Sequence, residues 1–280
     1  MAATPIAGGP TQAELILRQQ VHAQRAFSVK VVLSWAALLA FLAFIFSGAR
    51  LDLGPLAIQT IRIDWDFISE WAPYISEGAI KTIEICIESI VVASVLALLA
   101  ALGRLSRVAP IYALSTFYVS LIRGTPLLLQ LFFFFLALPQ IGITLDPPAA
   151  GVIALSLNYG AYMSEIFRAG IQSVGKGQRE AAQALGMTQS QLMRRVVLPQ
   201  ALRVVVPPVG NEFIAMLKDS SLVSTTGFVL EIMRRAQIVG RTNFRSLEAL
   251  LVAALWYWGM TIVFSWLQSR LEQRMARGER

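Results

Sequence analysis

Long apolar runs alternate with shorter polar segments along most of the chain. The apolar runs lie at 31–48, 78–102, 124–143, 149–168, 198–217 and 246–268. A helix needs about 20 apolar residues to cross the hydrocarbon core of a bilayer, because its backbone polar groups must be satisfied within the segment. The pattern therefore predicts an all-α membrane protein with five core transmembrane helices and one additional N-terminal transmembrane helix.

The polar segments between these runs define the domains that the sequence predicts. The run at 31–48 is longer than the apolar core of about 7–15 residues in a signal peptide, so it is interpreted as a membrane anchor. The segment before Arg123 mixes hydroxyl and apolar residues, which predicts an interfacial helix at 109–122. The next span should begin near Thr125, because Pro126 suits the first turn of a helix. In chain order, the predicted parts are an arm at 1–30, the anchor at 31–48, an outer loop at 49–77, a membrane domain at 78–270 with a polar loop at 176–195, and a tail at 271–280.

The distribution of Lys and Arg predicts the orientation of these helices. Positive side chains gather at the helix ends that lie inside when both termini are cytoplasmic, as the positive-inside rule requires. The basic segment 219–245 is an exception on the outer side. The inner bias explains the net charge of +7, so membrane lipid is expected as a partner and nucleic acid is not.

Composition excludes most forms of bond chemistry. With 56% hydrophobic and 15% charged residues, the chain cannot hide its apolar surface in one water-soluble core. Cys86 is the only cysteine and falls inside a predicted span, so no intrachain disulfide can form. The single histidine, His22, lies in the polar arm without metal-binding companions. Because no arrangement of Ser, His and acid is found, neither an enzyme activity nor a cofactor is expected.

The polar loop at 176–195 is the most distinctive segment of the sequence. Good helix formers run from Glu180 to Leu185 and are followed by Gly186, which permits a sharp backbone turn at low steric cost. A second helix is predicted to run to Val197, and Pro199 opens the next span. Two short helices joined at a glycine would form a rigid protrusion that offers a small-residue face to a partner. The alternative is an amphipathic helix that rests on anionic lipid.

This loop carries a family resemblance. The residues that match the EAA loop of ABC importer membrane subunits are Glu180, Ala181, Ala182, Gly186, Val196, Leu198 and Pro199, with valine at position 196 where isoleucine is usual. The match extends to RGTPLLLQ at 123–130, YMSEIFRAG at 162–170 and NEFIAMLKDSSL at 211–222, which resemble the polar amino-acid permeases of that superfamily. The resemblance covers about residues 77–270.

The resemblance implies a fold, a function and a set of partners. The fold would be that of a type I ABC importer permease in the bacterial cytoplasmic (inner) membrane, and the transported substrate an amino acid. The matched loop would be a coupling helix that seats in a groove of separate ABC ATPase subunits. A second permease subunit and a periplasmic or tethered substrate-binding protein would complete the assembly. The coupling residues implied are Glu180, Ala181, Ala182, Gly186, Leu198 and Pro199.

A nearby glycine pattern does not change this interpretation. Gly170, Gly175 and Lys176 satisfy the spacing of a phosphate-binding loop. However, Gly177 stands where that loop needs Ser or Thr, and a membrane helix precedes the pattern where a strand is required. Nucleotide binding by this chain is therefore not expected, and ATP hydrolysis is assigned to a separate chain.

Ionisable residues within the spans are candidates for a substrate path, since each is costly at the bilayer centre. Glu77, Lys81, Glu84 and Glu88 share one face of a single helix. That face, with Glu84 and Glu88, would look into the path. The alternative is a Lys81–Glu84 pair with solvated outer acids.

Further path candidates come from later spans. Glu165 could bind the α-ammonium of an amino acid, or it could pair with Arg168 three residues on. Asn211 follows Pro207, Pro208 and Gly210, which can kink the helix, so its amide could contact substrate or a neighbouring helix. Thr125 completes the predicted path at the start of its span.

Two alternatives to an amino-acid importer remain open from the sequence. One is an ABC permease for another small solute, such as an opine or a compatible solute. The other is an ion-coupled secondary transporter that uses the membrane acids as ion sites. In either case the segment VLEIMRRAQIVGR reads as an amphipathic outer helix or gate. Its Arg234 and Arg235 could meet acids on a docked binding protein or remain a solvated basic face.

Overall fold

The computed structural model describes residues 12–53 and 56–276, and the chain forms two compact units whose boundary in the sequence falls between Trp65 and Asp66. The predicted arm and tail lie outside this description at residues 1–11 and 277–280, as does the side chain of His22.

The first unit contains one long helix and a β-hairpin. Helix α1 (Gln12–Ile45) runs without a break from the predicted arm into the predicted anchor. Its segment Ala23–Ile45 is long and apolar enough to cross a membrane, and no part of its most apolar stretch is buried. Strands β1 (Arg50–Leu53) and β2 (Leu56–Gln59) pair antiparallel, with Arg50 opposite Gln59. The sequence analysis did not predict this hairpin in the outer loop.

The described residues of the second unit form helices that are joined by turns and short loops. Its helices are α2 (Trp65–Ser76), α3 (Gly78–Arg104), α4 (Ala109–Arg123), α5 (Leu127–Phe132), α6 (Pro147–Ser173), α7 (Lys176–Ala184), α8 (Gln189–Leu192), α9 (Leu198–Asp219), α10 (Ile232–Thr242) and α11 (Ser246–Ala276). π turns at Phe133–Ala137 and Met193–Val197 and 3-10 turns at Leu138–Ile141 and Ser220–Thr226 extend these helices.

The helices coincide with the apolar runs of the sequence. Besides the segment in α1, the segments Trp65–Arg104 and Ser246–Met275 are each long and apolar enough to span a membrane within the described part of the chain. Helix α4 and the segment Leu127–Ile141 are long and apolar enough to span a membrane only when they are taken together as one bent pair. Helices α6 and α9 occupy the runs predicted at 149–168 and 198–217. Both carry charged side chains, and neither is apolar enough to be assigned as a span by length and composition alone.

The structure differs from the sequence prediction around Pro126. The predicted interfacial helix is present as α4, but α4 and the segment after it meet at an angle of 105°. Pro126 is the extended N-cap of α5 and precedes its first turn. The helix ends after the 3-10 turn at Gly142, whose φ of 82° is left-handed. The span predicted from Thr125 is therefore a short arm of a broken helix pair.

Small residues let the central helices approach closely. The buried face of α3 carries Ala93, Ala97 and Ala101, and it packs against α6. On α6, a Cβ at Gly160 would lie 2.9 Å from the Cβ of Leu96, so only glycine fits at this crossing. Close contact between small residues is a common way to pack membrane helices. This helix pair is the frame on which the candidate site is built.

Candidate functional site

The polar loop turns where the sequence predicts it to turn. Helix α7 ends in a Schellman motif, in which the N–H of Met187 donates to the carbonyl of Ala182 at 3.1 Å and the N–H of Gly186 donates to that of Gln183 at 2.9 Å. Gly186 has a left-handed φ of 78°, which is strained for any residue with a Cβ. The sharp turn predicted at this glycine is confirmed.

The second half of the loop is continuous with the next long helix. Thr188 caps α8 through a capping box, in which its hydroxyl accepts from the N–H of Gln191 and the Gln191 side chain accepts from the N–H of Thr188. The π turn Met193–Val197 then joins α8 directly to α9. Pro199 lies in the first turn of α9 and opens no new, separate helix. The extra residue of a π turn accommodates the hydrogen bond that Pro199 cannot donate.

The loop has one buried face and one exposed face. Ala182 is buried in a small core with Ile171, Leu192 and Val197 of the same chain. In contrast, Glu180, Ala181 and Gly186 are exposed, and the side chain of Leu185 is 79% exposed. Leu198 is half-buried and Pro199 is exposed. The face available to a partner is therefore narrower than the sequence suggested, because Ala182 already contacts its own chain.

Glu165 joins three helices through three arginines. Its Oε2 accepts from Arg168 at 2.9 Å, which is the pair that the spacing predicts. Its Oε1 accepts from Arg123 of α4 at 3.3 Å and from Arg104 of α3. Arg123 also stacks over the ring of Tyr162. Both carboxylate oxygens of Glu165 are already bonded to arginines, so the geometry favours the structural alternative.

A polar cavity of about 320 Å³ lies between α5, α6 and α9. Its lining residues are Thr125, Pro126, Leu127, Asn158, Tyr159, Tyr162, Glu212 and Asp219. Two of them are acids and none is a Lys or Arg. The hydroxyl of Tyr159 donates to Oδ2 of Asp219 at 2.9 Å and so fixes one acid against the wall. A cavity with this charge is suited to a ligand that carries a cationic group.

A buried glutamine holds two of the residues that line this cavity. The amide nitrogen of Gln130 donates to the hydroxyl of Thr125 at 2.9 Å and to the carbonyl of Ile122 at 2.8 Å. Its amide oxygen accepts from Asn158 at 3.1 Å. Because Gln130 is almost fully buried and bonded on both ends, it fixes Thr125 and Asn158 where α4 bends into α5.

The structure separates the path residues that the sequence proposed. Thr125 lines the cavity, whereas Asn211 is exposed and its neighbour Glu212 lines it, because adjacent helix residues point about 100° apart. Glu84 and Glu88 are exposed on α3 and do not line this cavity. Glu84 pairs with Lys81 at 3.0 Å, as the alternative interpretation expected. A role for Asn211, Glu84 or Glu88 in a path stays a prediction.

Sequence reasoning missed most of the cavity wall. The missed residues are Asn158, Tyr159, Tyr162, Glu212 and Asp219. The sequence spacing could have identified the two acids, because Glu212 and Asp219 are seven residues apart and therefore share one face of α9. Other ionisable residues in predicted spans were path candidates in the sequence analysis, but Glu212 and Asp219 were not among them.

The outer helix α10 is tied to the membrane domain by charged groups. Arg235 donates to the carboxylate of Glu77 at 2.7 Å and lies over the ring of Tyr74. Fully buried Glu231 caps α10, accepting from the N–H groups of Met233 at 2.8 Å and Arg234 at 2.6 Å. The sequence analysis named Arg235 as a possible contact for a docked binding protein, but in the structure it is bound within its own chain.

Comparisons with known proteins agree with this architecture. A family model described as "Binding-protein-dependent transport system inner membrane component" matches residues 93–277. The L-cystine transport system permease protein TcyB of Bacillus subtilis (strain 168) is 45% identical over 229 residues, which cover 81% of this chain and 97% of that protein. The glutamine transport system permease protein GlnP of Escherichia coli (strain K12) is 37% identical over 217 residues, with 77% and 99% coverage.

Solved structures show the same fold. A chain of a structure described as "Crystal structure of an amino acid ABC transporter with histidines" matches with a TM-score of 0.71 and 39% identity, covering 76% of this chain and 100% of that one. A chain of the inward-facing MetNI methionine ABC transporter matches with a TM-score of 0.57 at 17% identity, which supports the fold alone. The type I importer permease fold predicted from the sequence is confirmed.

Proposed function

The chain belongs to the family of binding-protein-dependent transport system inner membrane components, and from this premise we propose that it is the membrane-spanning permease subunit of an ATP-driven amino-acid importer. Relatives named as permeases for L-cystine and for glutamine support an amino acid as substrate. In this role the chain moves solute and performs no bond chemistry.

One structural observation carries the proposal. Helices α8 and α9, joined by the π turn, form one continuous helical rod that begins beside the Gly186 turn and ends at Asp219 on the cavity wall. From Thr188 to Glu212 this rod is roughly 35 Å long at about 1.5 Å per residue. A force applied to the loop therefore reaches the two cavity acids through a single element.

The exposed face of the loop is the proposed ATPase contact. Glu180, Ala181 and Leu185 protrude into solvent, while Ala182 anchors α7 to the membrane domain. An exposed leucine among small and charged residues is suited to a hydrophobic groove on a partner. ABC ATPase subunits that close on ATP would pull these loops together in a dimer of permeases, and hydrolysis would reset them.

The cavity is the proposed binding site for the amino acid. Glu212 and Asp219 would accept hydrogen bonds from an α-ammonium or another cationic group, and Tyr159 would keep Asp219 in position. A separate substrate-binding protein would deliver the amino acid from the outer side. The rod formed by α8 and α9 would then couple substrate binding in the cavity to ATP hydrolysis by the ATPase at the loop.

Flux measurements test this function. Proteoliposomes containing this chain, its co-purifying ATPase and the loaded binding protein should take up radiolabelled amino acid only when ATP is supplied. Uptake that follows an ion gradient and persists without any ATPase would refute the proposal and support a secondary transporter. ATP-driven uptake of opines or compatible solutes, with none of amino acids, would refute the substrate class alone.

A further inference from the structure

The corner between α10 and α11 places an aromatic residue in an unusual conformation. After Asn243, the N–H of Phe244 donates to the carbonyl of Arg241 at 3.4 Å, and the N–H of Arg245 donates to that of Gly240 at 2.8 Å. This is the Schellman arrangement, and its left-handed position is held by Phe244 with φ of 54°. Within residues 12–53 and 56–276, every other residue with a positive φ is a glycine.

The side chain of Phe244 packs against almost nothing in the described part of its own chain. It is 94% exposed, more than any other large apolar side chain in the described part of the protein. The left-handed conformation is unfavourable for a bulky residue and free of strain for glycine. Phe244 therefore combines backbone strain with an apolar ring in water, and no internal contact offsets either. Such combinations occur where a residue serves a binding partner.

The neighbouring surface argues against lipid as that partner. Ile232, Ala236 and Val239 of α10 are buried against the membrane domain, and its other large apolar residues, Met233 and Ile238, are half-buried. Its other side carries Arg234, Gln237 and Arg241, so α10 has no second apolar face to lay on a bilayer. In the predicted topology this corner lies on the outer side, in the compartment of a soluble partner.

The charges beside Phe244 indicate the chemistry of the partner. Arg235 is paired with Glu77, and Arg245 with Glu248. Arg241 is exposed, and neither it nor Arg234 forms a salt bridge within the described residues. The corner therefore presents an apolar ring next to surplus positive charge. An acidic protein surface with an apolar pocket would complement it.

We propose that the corner at 240–245 docks the substrate-binding protein, with Phe244 as the apolar anchor and Arg241 as its charged neighbour. The inference rests on the proposed function, since the family description makes transport dependent on a binding protein. The partner's contact surface would be acidic. Burial of the ring on docking explains why a strained, exposed phenylalanine stands where glycine would fold at least as well.

Phe244→Gly is an unusually clean test, because glycine relieves the strain while removing the ring. In proteoliposomes containing the ATPase, ATP-driven uptake is measured against the concentration of loaded binding protein. The half-saturating concentration should rise about tenfold or more, with the maximal rate unchanged. Arg241→Glu should shift it in the same direction, and Arg241→Lys should stay within about twofold of wild type. Thermal unfolding should show Phe244→Gly to be no less stable than wild type.

Several outcomes would overturn the inference. One is a half-saturating concentration for Phe244→Gly equal to that of wild type. The second test concerns the membrane and uses a Phe244→Cys variant that carries a fluorophore. Brominated lipids should not quench the fluorescence of this label, and added binding protein should change it. Quenching by the lipids alone would assign the ring to the bilayer. Wild-type protein without any ATP-driven uptake would instead refute the proposed function itself, which keeps the two failures distinct.

Discussion

Glu212 and Asp219 set the charge of the cavity at the scale of single residues. Both lie on α9, and the lining contains no cation to neutralise them. Asn211 illustrates what the sequence could and could not supply. The prolines before it pointed to the correct stretch of helix, but a rotation of about 100° per residue decides which side chain enters the cavity. Without the packing of α9 against α6, Asn211 and Glu212 could not be distinguished.

Glu212→Gln should weaken transport, because it removes the charge and keeps the shape. The loss of a charge-assisted hydrogen bond of about 1.5–3 kcal/mol raises the substrate concentration for half-maximal uptake by roughly 10-fold to 150-fold. Uptake kinetics in proteoliposomes measure this shift. Asn211→Ala, one residue away and outside the lining, is the matched control and should change it less than about twofold. A larger rise in this concentration for Asn211→Ala than for Glu212→Gln would support Asn211 as a path residue and would argue against Glu212.

Gly186→Ala tests the turn of the loop. Nothing lies within 4 Å of an added Cβ at this position, so the effect would come from the left-handed backbone alone. The folded loop should lose about 1 kcal/mol, and ATP-driven uptake should fall as the loop becomes misshapen. Gly177→Ala provides the control, because that glycine also has open space but no positive φ. Equal uptake by the two variants would show that the turn does not matter.

At the scale of whole elements, the sequence predicted positions better than junctions. The apolar runs located every long helix, because hydropathy depends on side chains alone. The junctions depend on contacts between segments. Gln130 bonds to Ile122 and Asn158 where α4 bends into α5, and the π turn merges α8 with α9. Such contacts leave no period in the sequence, so a straight span at Thr125 and a separate helix at Pro199 were predicted instead.

The Glu165 cluster is the clearest structural junction between elements. Glu165→Gln would leave Arg104, Arg123 and Arg168 without their shared carboxylate. Because the cluster is partly exposed, the free energy of unfolding should fall by only about 1–2 kcal/mol. A thermal unfolding experiment measures this loss, and the substrate concentration for half-maximal uptake should be unchanged. A tenfold rise in that concentration at unchanged stability would instead support direct contact between Glu165 and the substrate.

At the scale of the whole molecule, the family resemblance predicted the fold, which periodicity alone could not, and it is also the basis for the partners that we propose. The family model begins at residue 93, so α1 and the hairpin of the first unit lie outside it. The hairpin was missed because the outer loop showed no alternation long enough to predict strands. The sequence predicted the loop and the path residues separately, and only the structure shows that α8 and α9 connect the loop to the cavity.

Leu185→Glu tests the contact with the ATPase. This side chain is exposed on the loop, so a charge there should not disturb the fold, yet it would prevent burial in an apolar groove. The affinity between the permease and its ATPase should fall about tenfold or more, as measured by titration in detergent or nanodiscs. Gln183→Glu, a change at an exposed position in the last turn of α7, is the control. Unchanged affinity for Leu185→Glu would place the contact elsewhere.

The rod itself can be tested by one spectroscopic measurement in the assembled transporter. An environment-sensitive label at Asn211→Cys reports on α9 beside the cavity, and the native Cys86 is buried. Addition of ATP should change the label's emission in otherwise wild-type protein. It should leave the emission unchanged in a Leu185→Glu background, at an ATPase concentration that saturates the wild-type protein but lies well below saturation for the variant. An equal response in both backgrounds would show that ATP reaches the cavity without the loop, and would contradict the account.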